Sequence, residues 1–187
     1  MASRFVQSQA NLAETLESIR LNTIESTKQY NSDPTLRARA LRPLDLNGIQ
    51  GLTLTSITSI GPTGATSTST IVDQAYGITI AAATQGSIAF TVPQGFGMQF
   101  VGIYCDGSFG PASTFQLKID TVTRQEIPLN YAYDSPYKVA YQLDQVAFAK
   151  QGAKIVMNLS CSGASTVSAT VWPVVWICAP ASQLQMQ

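Results

Sequence analysis

The chain contains no histidine, few charges and only three cysteines, and each shortage closes off a class of function. Without histidine there is no Ser-His-Asp or Cys-His triad, no ordinary general base near neutral pH, and none of the commonest zinc ligand. Cys105, Cys161 and Cys178 lie far apart and form no C-x-x-C, which excludes zinc-ribbon and thioredoxin-like motifs. Their odd number argues against a disulfide framework. Each sits in a strand-like run, where a buried free thiol is expected. No phosphate-cradling G-x-x-x-x-G-K-S/T or G-x-G-x-x-G occurs. No run of about 18 apolar residues exists to span a membrane. Ser3, Arg4, Gln7, Gln9 and Asn11 interrupt any signal-peptide core, so synthesis in a cytoplasm is the expectation.

Charged residues make up 12% of the chain, and 11 basic residues balance 11 acidic ones. That gives no general electrostatic attraction to nucleic acid or an anionic membrane. It also leaves little repulsion between copies, which favours a homo-oligomer. Apolar residues at 45% set the chain apart from disordered proteins. A length of 187 residues suits one ordinary domain plus an appendage.

What is present divides near Pro43. Before it stand Arg4, Glu14, Glu17, Arg20, Glu25, Lys28, Asp33, Arg37, Arg39 and Arg42, nearly half of all the charges. After it the text is rich in Ser, Thr, Gly, Val and Ile, and from Leu46 to Cys105 the only charge is Asp73. Residues 1–45 therefore read as a helical arm and linker, and residues 46–187 as a β domain. Ser3 can cap a helix, and no Pro or Gly interrupts it before Pro34. Phe5, Leu12, Leu16 and Ile19 form one narrow apolar stripe. Such a helix is marginal alone in water and needs a partner surface, either its own domain or another chain. Gln9 and Thr23 occupy the alternate core positions and weaken a coiled-coil reading. Residues 35–50 read as an extended linker. Its Arg37, Arg39 and Arg42 could touch phosphates or an acidic neighbouring subunit, or simply lie in solvent.

From Leu52 the dominant period is two. Ile88, Phe90 and Val92 alternate, as do Phe115, Leu117 and Ile119, and Ile155, Met157 and Leu159. Phe96, Met98 and Phe100 interleave with Val101, Ile103 and Cys105, so both faces of that run look buried. A change of face at Pro173 suggests a bulge, a bend or an edge position. Turn signals such as Pro93-Gln94-Gly95 and Gln151-Gly152 punctuate the runs. Roughly eight to ten short strands without helical periods predict an antiparallel β-sandwich, best a jelly roll, with an immunoglobulin-like sandwich as runner-up.

Chemistry-bearing residues are sparse. Asp73, Asp106, Asp120, Glu126, Asp134 and Asp144 are the carboxylates open to acid–base work, but they are scattered and mostly near turns. A hydrolase would need two of them facing one cleft about 5–10 Å apart. Asp45-Leu46-Asn47-Gly48 begins like a calcium loop and lacks the later ligands, so no metal or cofactor is expected. Asn158-Leu159-Ser160 matches a glycosylation sequon inside a predicted strand. Tyr131, Tyr133 and Tyr137, with Tyr141, cluster in a way that suits core packing, a partner protein or stacking on a glycan.

This layout resembles bacteriophage virion proteins: a helical or extended N-terminal arm, a Pro-punctuated linker and a charge-poor Ser/Thr/Gly-rich β domain of jelly-roll size. Capsid cement (decoration) proteins and single jelly-roll capsid proteins share it. The resemblance covers organisation and no matched residues. It implies a non-enzymatic virion subunit, made in the host cytoplasm, whose arm ties it to neighbouring shell subunits, with a trimer favoured. The stripe of Phe5, Leu12, Leu16 and Ile19 would be the staple, each side chain contributing roughly 1.5–3 kcal/mol on burial. The alternative is a tail, fibre or receptor-binding module that recognises a glycan, and a second alternative is the main capsid subunit itself.

Overall fold

The computed structural model describes residues 9–41, 54–60, 66–67, 78–80, 85–106, 113–129, 139–160 and 169–184. A helix, α1 (Gln9–Lys28), is followed by β1 (Leu36–Ala40), β2 (Leu54–Ile60), β3 (Thr66–Ser67), β4 (Ile78–Ile80) and β5 (Gln85–Thr91). Then come β6 (Gly97–Asp106), β7 (Thr114–Ile119), β8 (Val122–Pro128), β9 (Val139–Ala149), β10 (Lys154–Ser160) and β11 (Ala169–Pro180), and a final turn of helix, α2 (Ala181–Leu184).

The strands form two antiparallel sheets. One runs β1-β11-β6-β9, with β4 also on β11, and the other runs β3-β2-β5-β10-β7-β8. Successive strands from β5 to β7, and again from β8 to β11, cross between the sheets. The order β4-β11-β6-β9 against β5-β10-β7-β8 is that of a jelly roll. This bears out the expected sandwich and sets aside the immunoglobulin-like order.

Alternation places the core. Phe115, Leu117 and Ile119 of β7, Ile155, Met157 and Leu159 of β10, and Ile88 and Phe90 of β5 are buried. They belong to one cluster with Met98, Phe100, Ile103 and Cys105 of β6 and with Val175 and Ile177 of β11. Each large side chain so buried contributes roughly 1.5–3 kcal/mol before ordering costs. Two irregular stretches of sequence find their cause here. The β6–β11 pairing steps from Val174↔Gly102 to Val175↔Phe100, so Val101 is the extra residue of a bulge. The buried set of β6 therefore switches parity, from Met98 and Phe100 to Ile103 and Cys105. In β11 the buried residues keep one parity through Val171, Pro173, Val175 and Ile177. The expected change of face at Pro173 thus belongs to β6 instead. Pro173 lies where β4, paired as far as Val171, has ended and β1, paired from Trp176, has not begun, a locally edge-like position that tolerates proline.

One expectation about the N-terminal region is corrected. Leu36–Ala40, read as linker, pair with Trp176–Pro180 as a sheet strand. Leu36 and Ala38 turn one face of β1 toward α1, where they pack with Ile24 and Cys178. The expected division at residues 45/46 falls between β1 and β2. The helix, for which its own domain and another chain were the two expected partner surfaces, lays its second half on its own five-stranded sheet, against β1, β6 and β11. Leu16, Ile19, Thr23 and Thr27 are spaced three and four apart and share one helix face. Thr23 and Thr27 of that face are fully buried, whereas Leu16 is 40% exposed. The apolar half of the stripe overhangs the sheet, and its polar half is the part that docks.

Polar contacts fasten that seam. The Thr23 hydroxyl bridges the Ile19 carbonyl and the Gln99 side-chain amide, 2.6 Å from each. Tyr30 donates its hydroxyl to the Phe96 carbonyl at 3.0 Å, and Asn31 donates its side-chain amide to the Gly95 carbonyl at 3.0 Å. Gly95 has φ +82°, a left-handed conformation that favours glycine, and its N–H donates to Gln151 Oε1 at 2.8 Å.

Candidate functional site

In the six-stranded sheet β5, β10 and β7 bury one face in the core, and period-two geometry turns the other face outward. Along β5, β10 and β7 the outward positions are Gln85 and Ser87, Asn158 and Ser160, and Thr114 and Gln116. Cross-strand register sets them in rows. Ser87 pairs with Asn158, Asn158 with Gln116, and Gln116 with Glu126 of β8. A second row joins Gln85, Ser160 and Thr114. Four strands at about 4.8 Å spacing make the first row about 14 Å long.

These residues line an open groove of about 320 Å³. Amides and hydroxyls line it beside Gly86 and Leu159, and Glu126 is the one charged side chain among the described lining residues. Gln116 Nε2 donates to Glu126 Oε2 at 3.0 Å, and Asn158 Nδ2 donates to Gln116 Oε1 at 3.2 Å. Asn158, Gln116 and Glu126 thus form a hydrogen-bonded chain across three neighbouring strands, and Ser87 joins the row by register. Among the described residues each amide uses one donor in the chain and keeps another N–H, and the second carboxylate oxygen of Glu126 has no partner. Such a surface can exchange several hydrogen bonds with a ligand rich in hydroxyls.

The candidate residues read from sequence lie elsewhere. Phe5, Arg42, Tyr131, Tyr133 and Tyr137 fall outside the described residues, as does the side chain of Leu12. Leu16 is exposed and Ile19 half-buried on α1. Arg37 and Arg39, on β1, border a shallow hollow beside Ala181 and Leu184 of α2, and Arg39 donates to the Ala40 carbonyl at 3.1 Å. Of the carboxylates, Asp73 and Asp134 lie outside the described residues, and Asp106 and Asp144 sit in β6 and β9 with side chains outside them. Asp120 is bound to the Lys154 backbone and Glu126 to Gln116. The sequon Asn158 stands on β10, between β5 and β7, with its amide committed to Gln116.

Two thiols are buried away from the groove. Burial pushes Cys105 up to about 12. Burial also raises Cys178, against the opposing pull of a hydrogen bond from Thr27 and the nearby Lys28 charge. Tyr30, in the same seam, is raised by burial too.

The groove was visible in sequence only as the polar half of each alternation, Gln85 and Ser87, Thr114 and Gln116, Asn158 and Ser160. That half reads as an ordinary wet face until strand order sets the three strands side by side.

No family model matches the chain, and no curated protein matches it. Among solved structures, the K3 cleaved adhesin domain of Lys-gingipain from Porphyromonas gingivalis aligns at TM-score 0.38 and 12% identity, covering 75% of this chain and 98% of that one. A family two carbohydrate esterase from Cellvibrio japonicus aligns at TM-score 0.32 and 11% identity, covering 81% of this chain and 36% of that one. A GH26-CBM35 β-(1,4)-mannanase from Podospora anserina aligns at TM-score 0.30 and 13% identity, covering 73% and 27%. These likenesses fall below the level at which a shared fold is shown.

Proposed function

We propose that the chain is a non-enzymatic binding module that takes a glycan on the outward face of its six-stranded sheet. The observation that carries this reading is the row Ser87–Asn158–Gln116–Glu126, a polar groove on a rigid sheet with hydrogen-bonding capacity left over. Sugar hydroxyls both donate and accept, and a chain of sugar rings can lie across strands and meet one polar side chain per strand. Binding would be associative: the sheet supplies a preorganised row, so little ordering cost falls on the protein. The test is a glycan array probed with the full chain and with Asn158→Ala. A defined set of glycans retained by the full chain and lost by the variant supports the reading. Equal retention by both, or none by either, contradicts it.

A second reading is favoured by a separate observation. Leu16 is 40% and Leu21 47% exposed on α1. In that reading the chain is a virion structural subunit, a cement, minor capsid or main jelly-roll capsid protein, and the exposed side of α1 meets a neighbouring subunit. The two readings use different surfaces and respond to different substitutions.

A further inference from the structure

We infer that Glu126 is a positioning residue that sets the sense of the amide row, and that the groove therefore selects neutral glycans over acidic ones. This rests on the glycan reading above. An ionised carboxylate can only accept hydrogen bonds. Gln116 must therefore turn its NH₂ toward Glu126, which turns Gln116 Oε1 toward β10. Asn158 must then give its own NH₂ to Gln116, which leaves Asn158 Oδ1 facing the β5 side of the row, where Ser87 stands. One carboxylate at the β8 end thus fixes the direction of two amides on the strands beyond it.

The consequence is chemical. A ligand group that meets Asn158 Oδ1 has to bring a proton, as a sugar hydroxyl does. A uronic acid carboxylate brings none, and nearer β8 it meets the like charge of Glu126. Lys118, two residues along β7 from Gln116, pairs with Val156 in the next row and does not line the groove. The charge among the described lining residues is negative, and selection by repulsion of the wrong partner follows.

The experiment is calorimetric titration of the full chain with neutral hexaoses (cellohexaose, xylohexaose and mannohexaose) and with hexagalacturonate. The neutral ligand that binds should do so at least about tenfold more tightly than hexagalacturonate, the worth of one charge-assisted contact. Glu126→Gln can present either an oxygen or an NH₂ to Gln116, so the sense is lost. It should weaken the neutral ligand by about three- to tenfold and bring the neutral-to-acidic ratio close to one. Glu126→Asp, which keeps the acceptor charge, should restore most of that ratio. A simple structural role for Glu126 would not change the ratio. If Asn158→Ala abolishes binding while Glu126→Gln leaves affinity and ratio unchanged, the groove stands and the positioning role falls. If Asn158→Ala has no effect, or no hexaose binds, the glycan reading falls and this inference falls with it.

Discussion

Gly97 of β6 lies directly beneath Thr27 of α1, so closely that a methyl group on Gly97 would collide with the Thr27 hydroxyl. It would also come within 2.6 Å of the Tyr30 hydroxyl and 2.9 Å of the Phe148 ring. The absence of a side chain is what lets the helix reach the sheet. Gly97→Ala should therefore destabilise the protein by about 1–3 kcal/mol, the usual cost of overpacking. It should also speed reaction of Cys178 with a thiol reagent, because Cys178 is sealed under the same helix. Thermal melting beside a labelling time course checks both. An unchanged melt with unchanged labelling would mean that the seam yields freely.

The two halves of α1 should answer differently to substitution. Ile24 packs with Leu36 and Cys178, so Ile24→Ala should cost about 2 kcal/mol. Leu16 overhangs, so Leu16→Ser should stay within about 0.5 kcal/mol of the original chain. If the helix serves assembly, the Leu16 variant should melt normally yet sediment as a smaller species. A Leu16 variant that melts as low as the Ile24 variant would place Leu16 in the fold after all.

Asp120 holds the turn between β7 and β8 in a left-handed conformation, φ 59°. Its N–H donates to the Lys154 carbonyl at 2.6 Å, and its Oδ1 accepts the Lys154 N–H at 2.9 Å. Asn tolerates the left-handed region and keeps the acceptor, whereas Ala does neither. Asp120→Asn should be nearly neutral and Asp120→Ala should cost about 1–3 kcal/mol, measured by denaturant unfolding. Equal losses for both would deny the side chain its role.

Stability should fall in alkali. Cys105 is neutral in the folded state up to about 12, whereas an unfolded thiol ionises near 9.0. A raised folded value contributes stability that is whole below the unfolded value and lost as pH rises toward the folded one. Cys178 and Tyr30, also raised by burial, act in the same direction. Melting temperature should therefore decline from about pH 9 upward, and Cys105→Ala should flatten the decline while lowering stability at neutral pH. A decline of the same slope in that variant would point to other groups.

The sandwich was legible because its core strands alternate cleanly. Ile155, Met157 and Leu159 face the core as the period requires, and so do Phe115, Leu117 and Ile119. Strand order was less accessible, since the pairing of β10 with both β5 and β7 joins segments far apart in the chain. β1 was missed because Arg37 and Arg39 alternate with small alanines and carry no strong apolar signal. The docking face of α1 was obscured for a related reason. Thr23 and Thr27 read as polar, yet they are buried because a hydroxyl can satisfy itself on the helix carbonyl four residues earlier. The groove residues were each visible, but what joins Ser87, Asn158, Gln116 and Glu126 is register, which appears only in the folded chain.

The most direct test of the glycan-binding account is the response of two side chains to ligand. In a ¹⁵N–¹H spectrum of the full chain, the side-chain NH₂ resonances of Asn158 and Gln116 can be assigned through the Asn158→Ala and Gln116→Ala variants and followed during titration with the neutral hexaose that binds. The account predicts saturable shifts of both pairs at one common dissociation constant, with Gln99, buried under α1, unmoved. Saturable binding with the Asn158 and Gln116 resonances unchanged would place the ligand elsewhere and contradict it.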